Sequence, residues 1–137
     1  MSRQMTDAGR VVEVGLDLPA DLASVSTARQ FVRSQLAGDG RDDVSDVVVL
    51  LTSEVVTNAI LHAGSPCRID LRMADGSVRV EVTDGSPTPL RPRPVPPDAE
   101  SGRGLFLLDR LAGHWGSFRR DLGKSVWFDV ERPSGPG

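Results

Sequence analysis

From Cys67 to Val82 the chain alternates apolar and polar residues on both sides of a turn. Cys67, Ile69, Leu71 and Met73 are separated by Arg68, Asp70 and Arg72, and Val78, Val80 and Val82 alternate again after Asp75-Gly76. An extended strand puts residues i, i+2 and i+4 on one face, so this segment reads as an antiparallel hairpin with one apolar side. Asp75-Gly76 is expected to close it as a type I′ turn.

The flanking segments supply more strands and a helical layer. Arg10 to Leu18 directs Val12, Val14, Leu16 and Leu18 to one side, as a half-buried strand does. Asp21 can cap a helix with Leu22, Val25, Phe31, Val32 and Leu36 on its apolar face, stopping at Gly38. Asp42 or Asp43 can cap a longer helix running through His62 and Ala63, ended by Gly64 and Pro66. Beyond the hairpin, six of the chain's ten prolines fall between Pro87 and Pro97, so residues 86–101 suit neither a helix interior nor a central strand. Gly104 to Ala112 then reads as a short helix with Leu105, Leu108 and Leu111 or Ala112 on one face. Strands follow around Trp115–Arg119 and Lys124–Val130. The fold class expected is an α/β (α+β) two-layer sandwich, a mixed, largely antiparallel sheet with helices on one face. It forms one domain over residues 10–131, with polar tails at 1–9 and 132–137.

Composition narrows the function classes. With 39% hydrophobic and 26% charged residues the chain is expected to be neither disordered nor membrane-like, with no apolar run approaching the roughly 20 residues that span a bilayer. The N-terminal segment has no apolar stretch of the secretory kind. Cys67 is the only cysteine, which rules out an internal disulfide and fits a reducing, cytoplasmic setting. A net charge of −3 disfavours nonspecific nucleic-acid binding. One Cys and two His at unrelated spacing do not suggest a zinc site.

The long helix carries the most telling residues. Val44, Val47, Val48, Leu51 and Val55 form its core stripe, and Glu54, Asn58 and His62, spaced four apart, make a polar ladder beside it. Taken alone, that ladder is a cleft lining or an ordinary solvated face. The stretch Thr52-Ser-Glu54-Val-Val-Thr-Asn58-Ala-Ile-Leu-His62-Ala63 resembles the N-box of the GHKL ATPase/kinase superfamily, and within it the stand-alone anti-sigma-factor serine kinases of bacterial partner switching. The resemblance implies a Bergerat-type ATP-binding fold. It gives Glu54 the role of catalytic base toward an attacking hydroxyl, and Asn58 that of the Mg²⁺ ligand. His62 is either near the phosphates or a structural residue at the helix end.

Asp84-Gly85 resembles the G1 box, with Asp84 accepting from the adenine amino group; Ser86 and Pro87 stand where the fuller Asp-x-Gly-x-Gly pattern would continue. Gly102-Arg103-Gly104 resembles the G2 box, where glycine lets backbone amides approach phosphate and a helix N-terminus adds favourable charge. Residues 86–101 between them correspond to the lid, with Arg91, Arg93 and Arg103 as candidate phosphate partners. Gly123-Lys124-Ser125 mimics the end of a Walker A loop, but Phe118 occupies the position of its first glycine and a strand follows. In the resemblance, Ser125 instead supports the adenine-bound water. The implied ligands are ATP and Mg²⁺. The implied partners are a STAS-type anti-anti-sigma protein, a sigma factor and a second copy of the chain. Glu100 replaces a basic residue that can assist transfer in such kinases, so two readings stay open: a serine/threonine-protein kinase, or a catalytically weak ATP-binding module that holds a partner.

Overall fold

The computed structural model describes residues 11–85, 103–120 and 123–131. The expected lid at 86–101, Glu100 and Gly102, and both expected tails lie outside the described residues. The elements run β1 (Val12–Leu18), α1 (Ala23–Gly38), α2 (Asp42–Ala63), β2 (Cys67–Ala74), β3 (Ser77–Asp84), α3 (Arg103–Leu111), β4 (His114–Arg120) and β5 (Gly123–Glu131). The strands form one five-stranded sheet in the order β1-β2-β3-β5-β4. Each of these pairings is antiparallel, so the described sheet contains no parallel pair and is not mixed.

Alternation sets the two faces of this sheet. Ile69, Leu71 and Met73 on β2, Val78, Val80 and Val82 on β3, and Val126, Phe128 and Val130 on β5 are buried in one core with Val48, Leu51, Val55, Val56 and Ile60 of α2. α2 packs on α1 on one side and on β3, β5, β2 and α3 on the others. Its 22 residues are long and apolar enough to cross a membrane by composition, contrary to the expectation from sequence. Here more than half of the apolar window is buried within the domain.

The opposite face is polar. Arg68 pairs with Asp17 (3.0 Å) and Asp70 (3.1 Å), and Arg72 with Glu13 (3.3 Å). Arg79 donates to both carboxylate oxygens of Asp129 at 2.7 and 2.9 Å, and its guanidinium lies 4.4 Å from the Trp127 ring centroid. Arg68–Asp70 lies within β2; the other pairs are cross-strand and favour the observed register, although exposed pairs of this kind contribute little stability each, about 0–1 kcal/mol.

Local details revise several expectations. Asp21 is not the N-cap of α1: that position is Leu22, which makes no side-chain capping bond, and the Asp21 carboxylate, one residue earlier, accepts the Ala23 amide at 2.8 Å. Leu22 is 56% exposed, however, and the buried face of α1 is Ser24, Ala28, Val32 and Leu36. Asp42 and Asp43 lie in the first turn of α2 rather than capping it, where their charge still favours the helix N-terminus. Gly64 ends α2 in the left-handed region, φ 62°. The hairpin turn is not type I′: that turn needs positive φ at both central residues, and Gly76 (φ 78°) has it while Asp75 does not. Arg41, buried between α1 and α2, pairs with Asp39 at 2.7 Å and donates to the Ser77 carbonyl at 3.3 Å, tying the interhelical turn to the hairpin.

Two outcomes follow for stability. Thr52 is fully buried on α2, and among the described residues its hydroxyl has no hydrogen-bond partner. Thr52→Val should therefore leave stability unchanged or raise it by roughly 1 kcal/mol in denaturant unfolding, whereas a clear loss would reveal a partner for the hydroxyl. Burial pushes the Cys67 thiol from 9.0 up to about 11, with a smaller contribution from the Asp84 charge. The folded state thus holds this proton more tightly than the unfolded chain. The associated stabilisation is complete below pH 9 and is lost as pH rises to about 11. Cys67→Val should flatten that part of the stability–pH curve relative to the parent protein.

Candidate functional site

The polar ladder survives folding at two of its three positions. Glu54 and Asn58 are half-buried on α2, beside buried Val55 and Ala59, and among the described residues neither side chain makes a hydrogen bond or ion pair. A carboxylate and an amide held on a core helix with no such partner are available to a ligand. His62 is exposed at the last turn, next to Leu61, which is 62% exposed.

Asp84 is brought to the end of this helix by a bond that sequence alone does not announce. The Gly85 amide donates to Ser65 Oγ at 3.0 Å, and Ser65 directly follows the Gly64 stop of α2. The end of β3 is thereby tied to the end of α2. At 1.5 Å per residue, Asn58 lies about 8 Å and Glu54 about 14 Å back from Ala63 along the helix.

The Asp84 side chain faces the helical layer, on the same side as Val80 and Val82. Directly opposite on β5 stands Lys124, whose ammonium donates to Asp84 Oδ2 at 2.9 Å; the two side chains are 3% and 2% exposed. A Cβ on the neighbouring Gly123 would overlap the Asp84 carbonyl, so the strands approach this closely only with glycine there.

Ser125 is not brought to Asp84. It pairs with Thr83, its side chain lies on the other face, and the two hydroxyls are 2.8 Å apart. The one-residue step along a strand that places Lys124 against Asp84 turns Ser125 away. Lys124 and Ser65 are the residues that sequence reasoning missed. The first would have required the β3–β5 register. The second carries no signal beyond a serine after a helix stop.

Arg103 and Gly104 open α3, with Gly102 just outside the described residues. α3 packs on α2 and buries Leu108, and Trp115 Nε1 donates to Asp109 Oδ1 at 2.7 Å, linking α3 to β4. A cavity of about 740 Å³ opens at this end of the sheet, touching Asp84, Gly85 and Gly123 but also Asp17, Thr83 and Phe118. Glu54 and Asn58 do not line it, so this cavity by itself does not hold a ligand that reaches both ends of the site.

Comparison with known proteins identifies the family and the fold. Residues 18–130 match the family described as the histidine kinase-like ATPase domain. An uncharacterized protein of Streptomyces coelicolor, SCO4941, is 36% identical over 98 residues, covering 61% of this chain and 93% of that one. Among solved structures, the RsbU and RsbW domains of Rv1364c from Mycobacterium tuberculosis superpose with a TM-score of 0.70 at 22% identity. That match covers 90% of this chain and 34% of the other, so the present chain spans about a third of the length of that solved chain. The family match runs from the end of β1 to the end of β5 and takes in α2 with its ladder, the Asp84 turn and α3. The chain belongs to the histidine kinase-like ATPase domain family, with the two-layer α/β fold of the GHKL type.

Proposed function

We propose that this protein binds ATP with Mg²⁺ and transfers the γ-phosphoryl group to a serine or threonine of a STAS-type anti-anti-sigma protein, acting as a cytoplasmic partner-switching kinase. The observation that carries the reading is the half-buried Glu54–Asn58 pair on α2, whose helix end is hydrogen-bonded to the Asp84-Gly85 turn. The likeness to a structure containing an RsbW domain supports the choice of partner class, and a sigma factor is the second partner, as the sequence resemblance implies.

The residues fit the ligand they would hold. Asp84 offers an acceptor for the adenine amino group. Asn58 offers one neutral oxygen to the metal, which suits a Mg²⁺ bound largely by phosphates and water. Among the described residues no cluster of three or more His, Cys, Asp or Glu side chains could hold a metal. Mg²⁺ would neutralise phosphate charge as the γ-group is transferred. Glu54 takes the proton from the substrate hydroxyl as its oxygen bonds to the γ-phosphorus. The bond from that phosphorus to the β–γ bridging oxygen breaks, and ADP leaves. Gly102, Arg103 and Gly104 would meet the phosphates at the start of α3.

A second reading is an ATP-binding module that holds a partner and scarcely turns over. Glu100, acidic where a basic residue can assist transfer, favours it, as does the shortened Asp84-Gly85 motif. Phosphoryl transfer to candidate STAS proteins, followed with labelled ATP and Mg²⁺, separates the two.

Asp84→Asn should weaken ATP binding roughly ten- to a hundredfold, because a charged acceptor for the adenine amino group is lost. Calorimetry on the folded variant checks this, and unchanged affinity would remove Asp84 from the site. Glu54→Gln should keep ATP·Mg²⁺ affinity while transfer falls by about 10²–10⁴-fold, since an amide does not accept the hydroxyl proton. Asn58→Ala should reduce Mg²⁺-dependent binding and turnover together. A fully active Glu54→Gln protein would defeat the mechanism.

A further inference from the structure

Lys124 has no role in the scheme above, yet it occupies a costly position. Its ammonium and the Asp84 carboxylate are 2.9 Å apart at the end of the β3–β5 pair, with side chains 3% and 2% exposed. A buried ion pair is a weak source of stability compared with an apolar pair of similar volume, so its placement beside the adenine-reading carboxylate asks for another explanation. The terminal torsion of an aspartate is broad, and a carboxylate that must accept one particular hydrogen bond gains from being held. Among the described residues the hydroxyl nearest in sequence to Lys124, that of Ser125, is on the opposite face with Thr83 and does not provide the hold.

We infer that Lys124 is a positioning residue for nucleotide recognition: by donating to Oδ2 it fixes the Asp84 carboxylate in the orientation that accepts the adenine 6-amino group. This rests on the assignment of Asp84 to the adenine, and it deepens that assignment. Lys124 acts through Asp84 and does not itself touch the base.

The test compares the affinity of ATP with that of purine riboside 5′-triphosphate, which lacks the 6-amino group. The ratio of the two isolates the bond to Asp84. The parent protein should prefer ATP by about tenfold or more, the value of one charge-assisted hydrogen bond. Lys124→Met should remove most of that preference by weakening ATP and leaving the amino-free nucleotide nearly unchanged, and Lys124→Arg, which keeps a charged donor, should retain it. A merely structural lysine would move both nucleotides equally and leave the ratio intact, and that result overturns the proposal. Tighter ATP binding by Lys124→Met also overturns it, by making Lys124 a competitor for the carboxylate.

Because Lys124→Met leaves a buried carboxylate without its cation, the cycle is completed with Asp84→Asn and the uncharged double variant. With Asp84→Asn in place, adding Lys124→Met should change the ratio no further. An additional loss there would mean that Lys124 contacts the base directly, against the proposal. If the parent protein binds ATP but shows no preference over the amino-free nucleotide, both this inference and the adenine role of Asp84 fall. If the preference is present and survives Lys124→Met, only the inference does.

Discussion

The antiparallel register of β3 against β5 governs both the core and the site. Val78, Val80 and Val82 stand opposite Val130, Phe128 and Val126, and the same alternation, continued by one step, sets Asp84 opposite Lys124. A slip of a single residue would send the apolar set to the polar face, and with it would exchange Lys124 for Ser125 beside Asp84. The driving force for burying those valines and Phe128 therefore also specifies which side chain meets the carboxylate. Gly123 is part of the same constraint, because no side chain fits against the Asp84 carbonyl where the two strands close.

The second determinant is α2. It is the most enclosed helix, packed by α1, α3 and the sheet, and its ladder of Glu54 and Asn58 borders the buried stripe. Polar groups at that boundary are held by the packing of their neighbours rather than by bonds of their own. This gives them defined positions while leaving their hydrogen-bonding capacity for a ligand. The tie from Gly85 to Ser65 then fixes the far end of the helix to the end of β3.

Much of this was legible in the sequence because it is periodic. The hairpin of β2 and β3, the extent of α2 from Asp42 to Ala63 and its stop at Gly64 follow from alternation, helical spacing and a glycine able to adopt positive φ. What failed to be legible depends on tertiary context. Leu22 reads as part of an apolar face, but α1 turns Ser24 and Ala28 toward the core and leaves Leu22 in solvent. Asp75-Gly76 suggests a type I′ turn, but only the glycine adopts positive φ. Ser125 attracts attention as the hydroxyl in a glycine-led motif, and nothing local reveals that its strand turns it away from Asp84. Strand pairing across some 40 residues decides that question, and no local pattern encodes it.

The charges of the site follow the same division of labour. On the polar face, Arg68, Arg72 and Arg79 find carboxylates across neighbouring strands, where water screens each pair and its removal matters little. On the helical face, where water is excluded, the carboxylate of Asp84 carries its own cation from the facing strand. A lone buried carboxylate in that position would carry an uncompensated desolvation cost whenever the site had no ligand. Lys124, directly opposite, offsets part of that cost with an ion pair in the absence of ligand. The carboxylate can then stand ready at the end of a strand whose other inward residues, Val78, Val80 and Val82, are apolar. The sheet that supplies the core thus also supplies the polar end of the site, and the boundary between the two runs through one strand pair.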